Sequence, residues 1–145
     1  MKLKQVLAVT ATLITLSGCN WKNMENTQKV TLNNKKYTLE VARTEEEKRK
    51  GLGGREVLND GDGMIFLYDK TDYLNFWMKD TLIPLQILFV NKCEIVDIAE
   101  MAVEKDPANL QKIYKSKAKA DRAIELNIKS VPENIIGQKI EQLCN

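Results

Sequence analysis

The chain has 145 residues, 29% of them charged, with 22 Lys and Arg against 20 Asp and Glu, three cysteines and no histidine. The missing imidazole excludes Ser-His-Asp and Cys-His nucleophile systems and histidine-ligated metal centres, and leaves carboxylates, Lys, Tyr and Cys for any proton transfer. The length suits one domain with one hydrophobic core.

Residues 1–18 carry Lys2 and Lys4, an apolar run from Val6 to Leu16, and then Leu16-Ser17-Gly18 before Cys19. The run is too short to span a bilayer stably, and a cysteine follows the small residues where an ordinary secretory signal has an Ala-x-Ala site. The segment resembles a bacterial lipoprotein signal with its lipobox. That resemblance implies export, acylation of Cys19 and a lipid anchor in a membrane of the cell envelope, where each buried methylene contributes ~0.8 kcal/mol. The other reading is an ordinary cleaved signal, or a buried helix with a chance cysteine. Loss of Lys2 and Lys4 with the signal leaves twenty basic residues against twenty acidic ones. Overall charge therefore gives no reason to expect a nucleic-acid partner.

Residues 19–28 are polar and aperiodic, a tether between the acylated cysteine and a domain over 29–145. Val30 and Leu32, then Tyr37, Leu39 and Val41, alternate on either side of Asn33-Asn34 and predict a β-hairpin. Thr44 and Glu47 form a capping box that opens a short polar helix, stopped by Gly51, Gly53 and Gly54. Asn59-Asp60-Gly61-Asp62-Gly63 reads as a turn; it lacks the closing glutamate of a calcium loop. Strands are predicted at Met64–Tyr68, through Phe76-Trp77-Met78, at Leu85–Val90 and at Glu94–Ala99. Residues 101–112 read as a loop or short helix. A further strand covers Lys119–Asn127, a short helix begins near Ser130 and ends at Gly137, and Ile140 and Leu143 fall in a last strand. Short strands with regular turns and one or two brief helices predict a mostly β, compact antiparallel sandwich or barrel-like domain. Lys35-Lys36 and Lys112, Lys115, Lys117 and Lys119 read as solvated edge and loop lysines.

Cys93 lies at a predicted hairpin turn and Cys144 beside the C-terminus. Export would let them pair, closing a loop that restricts the unfolded chain by about 4 kcal/mol. Their separation in space is not given by their spacing, so a bridge and two free thiols both stay open. A catalytic thiol lacks a histidine to activate it.

Gly51-Leu52-Gly53-Gly54-Arg55, Gly63-Met64-Ile65-Phe66, Phe76-Trp77-Met78-Lys79-Asp80-Thr81, Ile83-Pro84-Leu85, Tyr114-Lys115-Ser116 and Ile124-Glu125-Leu126-Asn127 together resemble the domain of unknown function family 192 over about residues 37–143. The resemblance implies a small secreted or envelope-attached β-sandwich domain without an established activity. Relative to the family pattern, Gly53 replaces methionine, Asp80 asparagine, Gln86 an aspartate and Gln138 another, and Lys129 stands near an expected glycine. Two carboxylates thus become amides, which favours binding over acid-base chemistry if the family site depends on them.

Alternation sends Phe76 and Met78 to one face of their strand and Trp77 and Lys79 to the other. Trp77 and Lys79, with Arg55, Tyr114 and Glu125 nearby, would make an aromatic platform with charged groups that suits a sugar or an anion. In the competing reading Trp77 is core and Lys79 pairs with Asp80 or Glu125 at the rim. Arg55 and Glu125 each lie among apolar residues, so they pair with one another or serve a site. Asp80 and Glu125 facing one cleft would instead suit a two-carboxylate hydrolase. No metal or cofactor motif is present. The expectation is a lipid-anchored envelope protein whose β domain binds a ligand or a neighbouring protein without catalysis. The alternatives are a carboxylate-dependent hydrolase of envelope glycans and a purely structural accessory protein.

Overall fold

The structure, a computed structural model, describes residues 26–105 and 112–144. The expected signal, Cys19 and most of the tether lie outside the described residues, as does most of the second half of the 101–112 connection. The strands are β1 (Thr27–Leu32), β2 (Lys35–Ala42), β3 (Asp62–Asp72), β4 (Asn75–Phe76), β5 (Leu85–Asn91), β6 (Glu94–Met101), β7 (Tyr114–Lys115) and β8 (Ala120–Asn127). Helix α1 spans Glu45–Lys50, and 3-10 turns cover Glu133–Ile135 and Glu141–Leu143.

Six strands form one sheet in the order β1-β2-β3-β8-β5-β6, and β4 with β7 forms a small second sheet. The mostly β expectation with brief helices is met. Asn33 and Asn34 both take left-handed backbone, with φ 46° and 62°, as a two-residue hairpin turn requires. All neighbours in the main sheet are antiparallel except β2 and β3, which run parallel from Thr38 opposite Asp62 to Ala42 opposite Phe66. Parallel neighbours need a long crossover, and residues 43–61, which include α1, supply it. Hydrophobic alternation reports which face a residue takes and not the direction of its neighbour, so this pair was not visible in the pattern. Gly63 of β3 leaves no room for a side chain between β2 and β8: a Cβ there would lie 2.5 Å from the Glu125 carbonyl oxygen and 2.8 Å from the Leu39 side chain.

Both faces of the main sheet are buried, which explains why β5 is buried at every position from Leu85 to Val90 and apolar at all of them except Gln86. One face, with Leu39, Ile65, Leu88, Ile124 and Leu126, is covered by Val131, Ile135, Ile140 and Leu143 of the C-terminal segment. The other, with Phe66, Ile87, Phe89 and Ala123, is covered by Leu52, Leu58, Phe76, Met78 and Tyr114. Phe76 stacks edge-on against Phe66 at 5.0 Å and Phe89 at 5.9 Å, locking the small sheet to the large one.

Two local readings are corrected. Ile140 and Leu143 do not form a strand: both are buried, and their spacing of three places them on one side of a 3-10 turn but on opposite sides of a strand. The strand through Trp77 and Met78 stops at Phe76, its pairing ending with the two-residue partner β7. Cys93 and Cys144 are joined in a disulfide with a Cα–Cα distance of 5.0 Å. It fastens the chain end beside the β5–β6 turn, where Ile140 also donates its N–H to the Cys93 carbonyl at 2.7 Å.

Candidate functional site

A pocket of about 330 Å³ opens on the face covered by β4 and β7, between the end of α1 and residues 75–81. Its first wall is made by local rules in α1. Thr44 caps the helix by accepting from the Glu47 N–H at 3.2 Å, and the Glu47 carboxylate accepts from the Thr44 N–H at 2.8 Å. Those contacts hold the Glu47 carboxyl below its ordinary range. Gly51, at φ 49°, ends the helix after one and a half turns and points Lys48, Arg49 and Lys50 at the pocket. Lys48 is engaged, with an ion pair to Glu45 at 3.1 Å and the Tyr68 ring 4.4 Å from its ammonium. The side chains of Arg49 and Lys50 line the pocket without a hydrogen bond or ion pair to another described residue, although the charge of Lys50 helps to lower the Glu40 carboxyl.

The second wall follows from alternation beyond β4. Phe76 and Met78 turn inward and are buried; Trp77 turns outward, 41% exposed, and Lys79, also exposed, lines the pocket with it. Trp77 is therefore not a core residue. Lys79 pairs with neither Asp80 nor Glu125 and, among the described residues, has no ionic partner. Asn75 and Thr81 add neutral polar groups, and the Thr81 hydroxyl donates to the Lys79 carbonyl at 3.2 Å, keeping its oxygen free to accept.

Glu125 forms the base. It lies mid-strand in β8 between Met64 of β3 and Ile87 of β5, on the same face as Ala123, and is 5% exposed. No other described residue hydrogen-bonds or ion-pairs with its carboxyl. An ionised carboxylate in such surroundings is costly, and burial pushes the Glu125 carboxyl up to about 8, so the acid form prevails at neutral pH. Tyr68, beside it, is pushed up to about 12 by burial and then by the charges of Glu45 and Glu125.

The structure thus brings Trp77, Lys79 and Glu125 together and leaves Arg55 and Tyr114 out. Arg55 does not pair with Glu125; its guanidinium donates two bonds to the Glu40 carboxylate, at 2.6 and 2.7 Å, which holds that carboxyl below its ordinary range. The apolar neighbours of Arg55 predicted a partner correctly and could not say which, because Glu40 approaches from β2. Tyr114 is buried against the core, its hydroxyl accepting from the Ala102 N–H at 3.1 Å. Asp80 is exposed and lies outside the lining, so the paired carboxylates of a hydrolase do not meet here. Lys48, Arg49 and Lys50 were missed because the last turn of a polar helix looks solvated; the signal that could have found them was the capping box followed by Gly51, which aims that turn.

The two amides are not part of this pocket either. Gln86 faces the opposite side of the sheet, its side-chain amide donating to the Val131 carbonyl at 2.9 Å and accepting from the Val131 N–H at 3.0 Å. Gln138 is exposed near the β5–β6 turn, its carbonyl accepting from the Ile95 N–H at 3.0 Å. Neither replacement therefore removes a carboxylate from the site. Among the described residues no three Cys, Asp or Glu side chains gather as a metal site.

A mixed-sheet β domain with a lysine-rimmed pocket over a buried acid is the class that these features define. The chain belongs to the DUF192 family (Uncharacterized ACR, COG1430), whose model matches residues 27–141. Two solved structures are similar to it. One is a candidate transcription regulator of Sinorhizobium meliloti, 27% identical, with 71% of this chain and 80% of that one covered and a TM-score of 0.62. The other is a protein of unknown function from Novosphingobium aromaticivorans, 35% identical, with 70% and 71% covered and a TM-score of 0.59. No functionally curated protein matches the chain.

Proposed function

We propose that this protein is a non-catalytic binding protein of the cell envelope, exported and held at a membrane surface by lipid on Cys19, whose β domain takes a small anionic ligand in the α1–β4 pocket. The observation that carries the binding reading is the charge imbalance of the pocket: Arg49, Lys50 and Lys79 line it without ion-pair partners among the described residues, and the one carboxyl group in its lining, Glu125, is uncharged at neutral pH. Cations without ion-pair partners among the described residues, beside aromatic rings in the same lining, favour an anion with an apolar body. A single buried acid supports binding better than two-carboxylate hydrolysis, which needs a second carboxylate facing the same cleft. The anchor reading rests on the lipobox-like Leu16-Ser17-Gly18-Cys19.

Two experiments test it. A panel of small organic anions is screened by thermal shift of the full chain, and Trp77→Ala and Lys79→Ala are expected to abolish the stabilisation; shifts that persist in both variants would reject the pocket. For the anchor, Cys19→Ser is expected to move the expressed protein from the membrane fraction to the soluble one, and unchanged membrane association would reject lipidation.

A further inference from the structure

The neutral polar groups of the pocket narrow the ligand further than its charge does. Trp77 is 41% exposed and lines the pocket, and Asn75, Thr81 and Glu125 share that lining with Phe66 and Phe76. The Asn75 amide and Glu125 make no side-chain hydrogen bond to another described residue, and the Thr81 oxygen keeps its lone pairs. A purely apolar acid would cover these groups and strip their water without replacing it, which costs affinity for every unmatched group. An uncharged sugar would leave the cations unanswered, and a zwitterion would find no ionised carboxylate in the lining for its ammonium at neutral pH. The remaining class is a ring with hydroxyl groups on its edge, an apolar face and one anionic substituent. The volume of about 330 Å³ is near the lower end of the roughly 300–1,000 Å³ of small-molecule pockets, room for one ring and not for a chain.

We infer that the pocket binds an acidic monosaccharide unit, a hexuronate-like ring, with its face on Trp77, its carboxylate between Lys50 and Lys79, and a ring hydroxyl accepting from the Glu125 acid. The assignment rests on the binding reading above and adds the chemical class. In it Glu125 acts as a hydrogen-bond donor, a role an ionised carboxylate cannot fill. Trp77 supplies area and no charge, so its loss should weaken every ring ligand, while loss of Lys79 should weaken only the anionic ones.

The test is calorimetric titration of the full chain with three probes at neutral pH: D-glucuronate, D-glucose, and cyclohexanecarboxylate, which keeps the ring and the charge but has no hydroxyls. Glucuronate is expected to bind saturably, with glucose and cyclohexanecarboxylate each at least tenfold weaker. Trp77→Ala and Lys79→Ala should each lower glucuronate affinity at least tenfold, and Arg55→Ala, outside the pocket, should not. Cyclohexanecarboxylate binding as tightly as glucuronate overturns the sugar assignment and leaves the anion-binding reading standing. Absence of glucuronate binding overturns the assignment too. Glucuronate binding unchanged in both pocket variants overturns the assignment and the pocket together.

Discussion

Replacing Glu125 with Gln should stabilise the protein, and the amount should depend on pH in a way that only a buried acid produces. The carboxyl has an ordinary value of 4.5 and is pushed up to about 8 by burial in the folded chain. Between those limits the folded chain keeps a proton that the unfolded chain has released, so stability falls as pH rises, by about 1.4 kcal/mol per unit. The contribution is whole below 4.5, is about 3 kcal/mol smaller at pH 7, and stops changing once pH passes about 8. Gln fills nearly the same volume and never ionises, so Glu125→Gln should be more stable by about 3 kcal/mol at pH 7, equal within error near pH 4.5, and free of the steep slope between. Urea unfolding followed by circular dichroism at pH 5, 6, 7 and 8 measures this directly. Parallel pH profiles for the two proteins, or a variant less stable than the parent at pH 8, would refute the claim that the pocket holds an uncompensated acid.

Three other substitutions probe the scaffold. Replacing both Cys93 and Cys144 with Ser should lower unfolding free energy by about 4 kcal/mol, the chain-entropy value for a loop of 51 residues, read as a drop in urea midpoint. Gln86→Leu should cost about 1–3 kcal/mol by leaving the buried Val131 N–H and carbonyl unpaired, yet leave ligand affinity unchanged because Gln86 sits on the far face of the sheet. Lys129→Gly should raise stability by about 0.5–1 kcal/mol in a thermal melt, since Lys129 holds a left-handed φ of 59° that strains a residue with a Cβ.

That last position shows what the sequence could and could not disclose. Lys129 and Asp80 were legible as departures from a family pattern of glycine and asparagine, and both prove to sit at positive φ, the region those two residues tolerate best. The hairpin at Asn33-Asn34 and the start of α1 were readable because their chemistry is local: two asparagines, or a threonine three residues before a glutamate, satisfy nearby backbone whatever the rest of the chain does. Trp77 and Lys79 were readable as a pair because they alternate with Phe76 and Met78. Partners across the fold were not readable. Nothing in the neighbourhood of Arg55 distinguishes Glu40 from Glu125, and nothing beside Gln86 shows that its face of β5 meets the backbone of Val131. Those facts belong to the parallel β2–β3 crossover and to the C-terminal segment, which bring together residues far apart in the chain.

Glu125 joins the two kinds of information. From sequence it looked like half of an ion pair, and an ion pair would have accounted for a charged residue between Ile124 and Leu126 without any ligand. With Arg55 committed to Glu40, that account fails: burial raises the Glu125 carboxyl above its ordinary range, so ionising it opposes folding, and no other described residue hydrogen-bonds with it in exchange. A buried acid that opposes folding when ionised and has no hydrogen-bond or ion-pair partner among the described residues is the pattern of a site that trades stability for function. The pocket supplies what such a function needs, because Glu125 opens onto the same cavity as Trp77, Lys50 and Lys79. On the proposed reading, the cost of the buried acid and the cations that lack ion-pair partners among the described residues have one common explanation, a ligand that meets both.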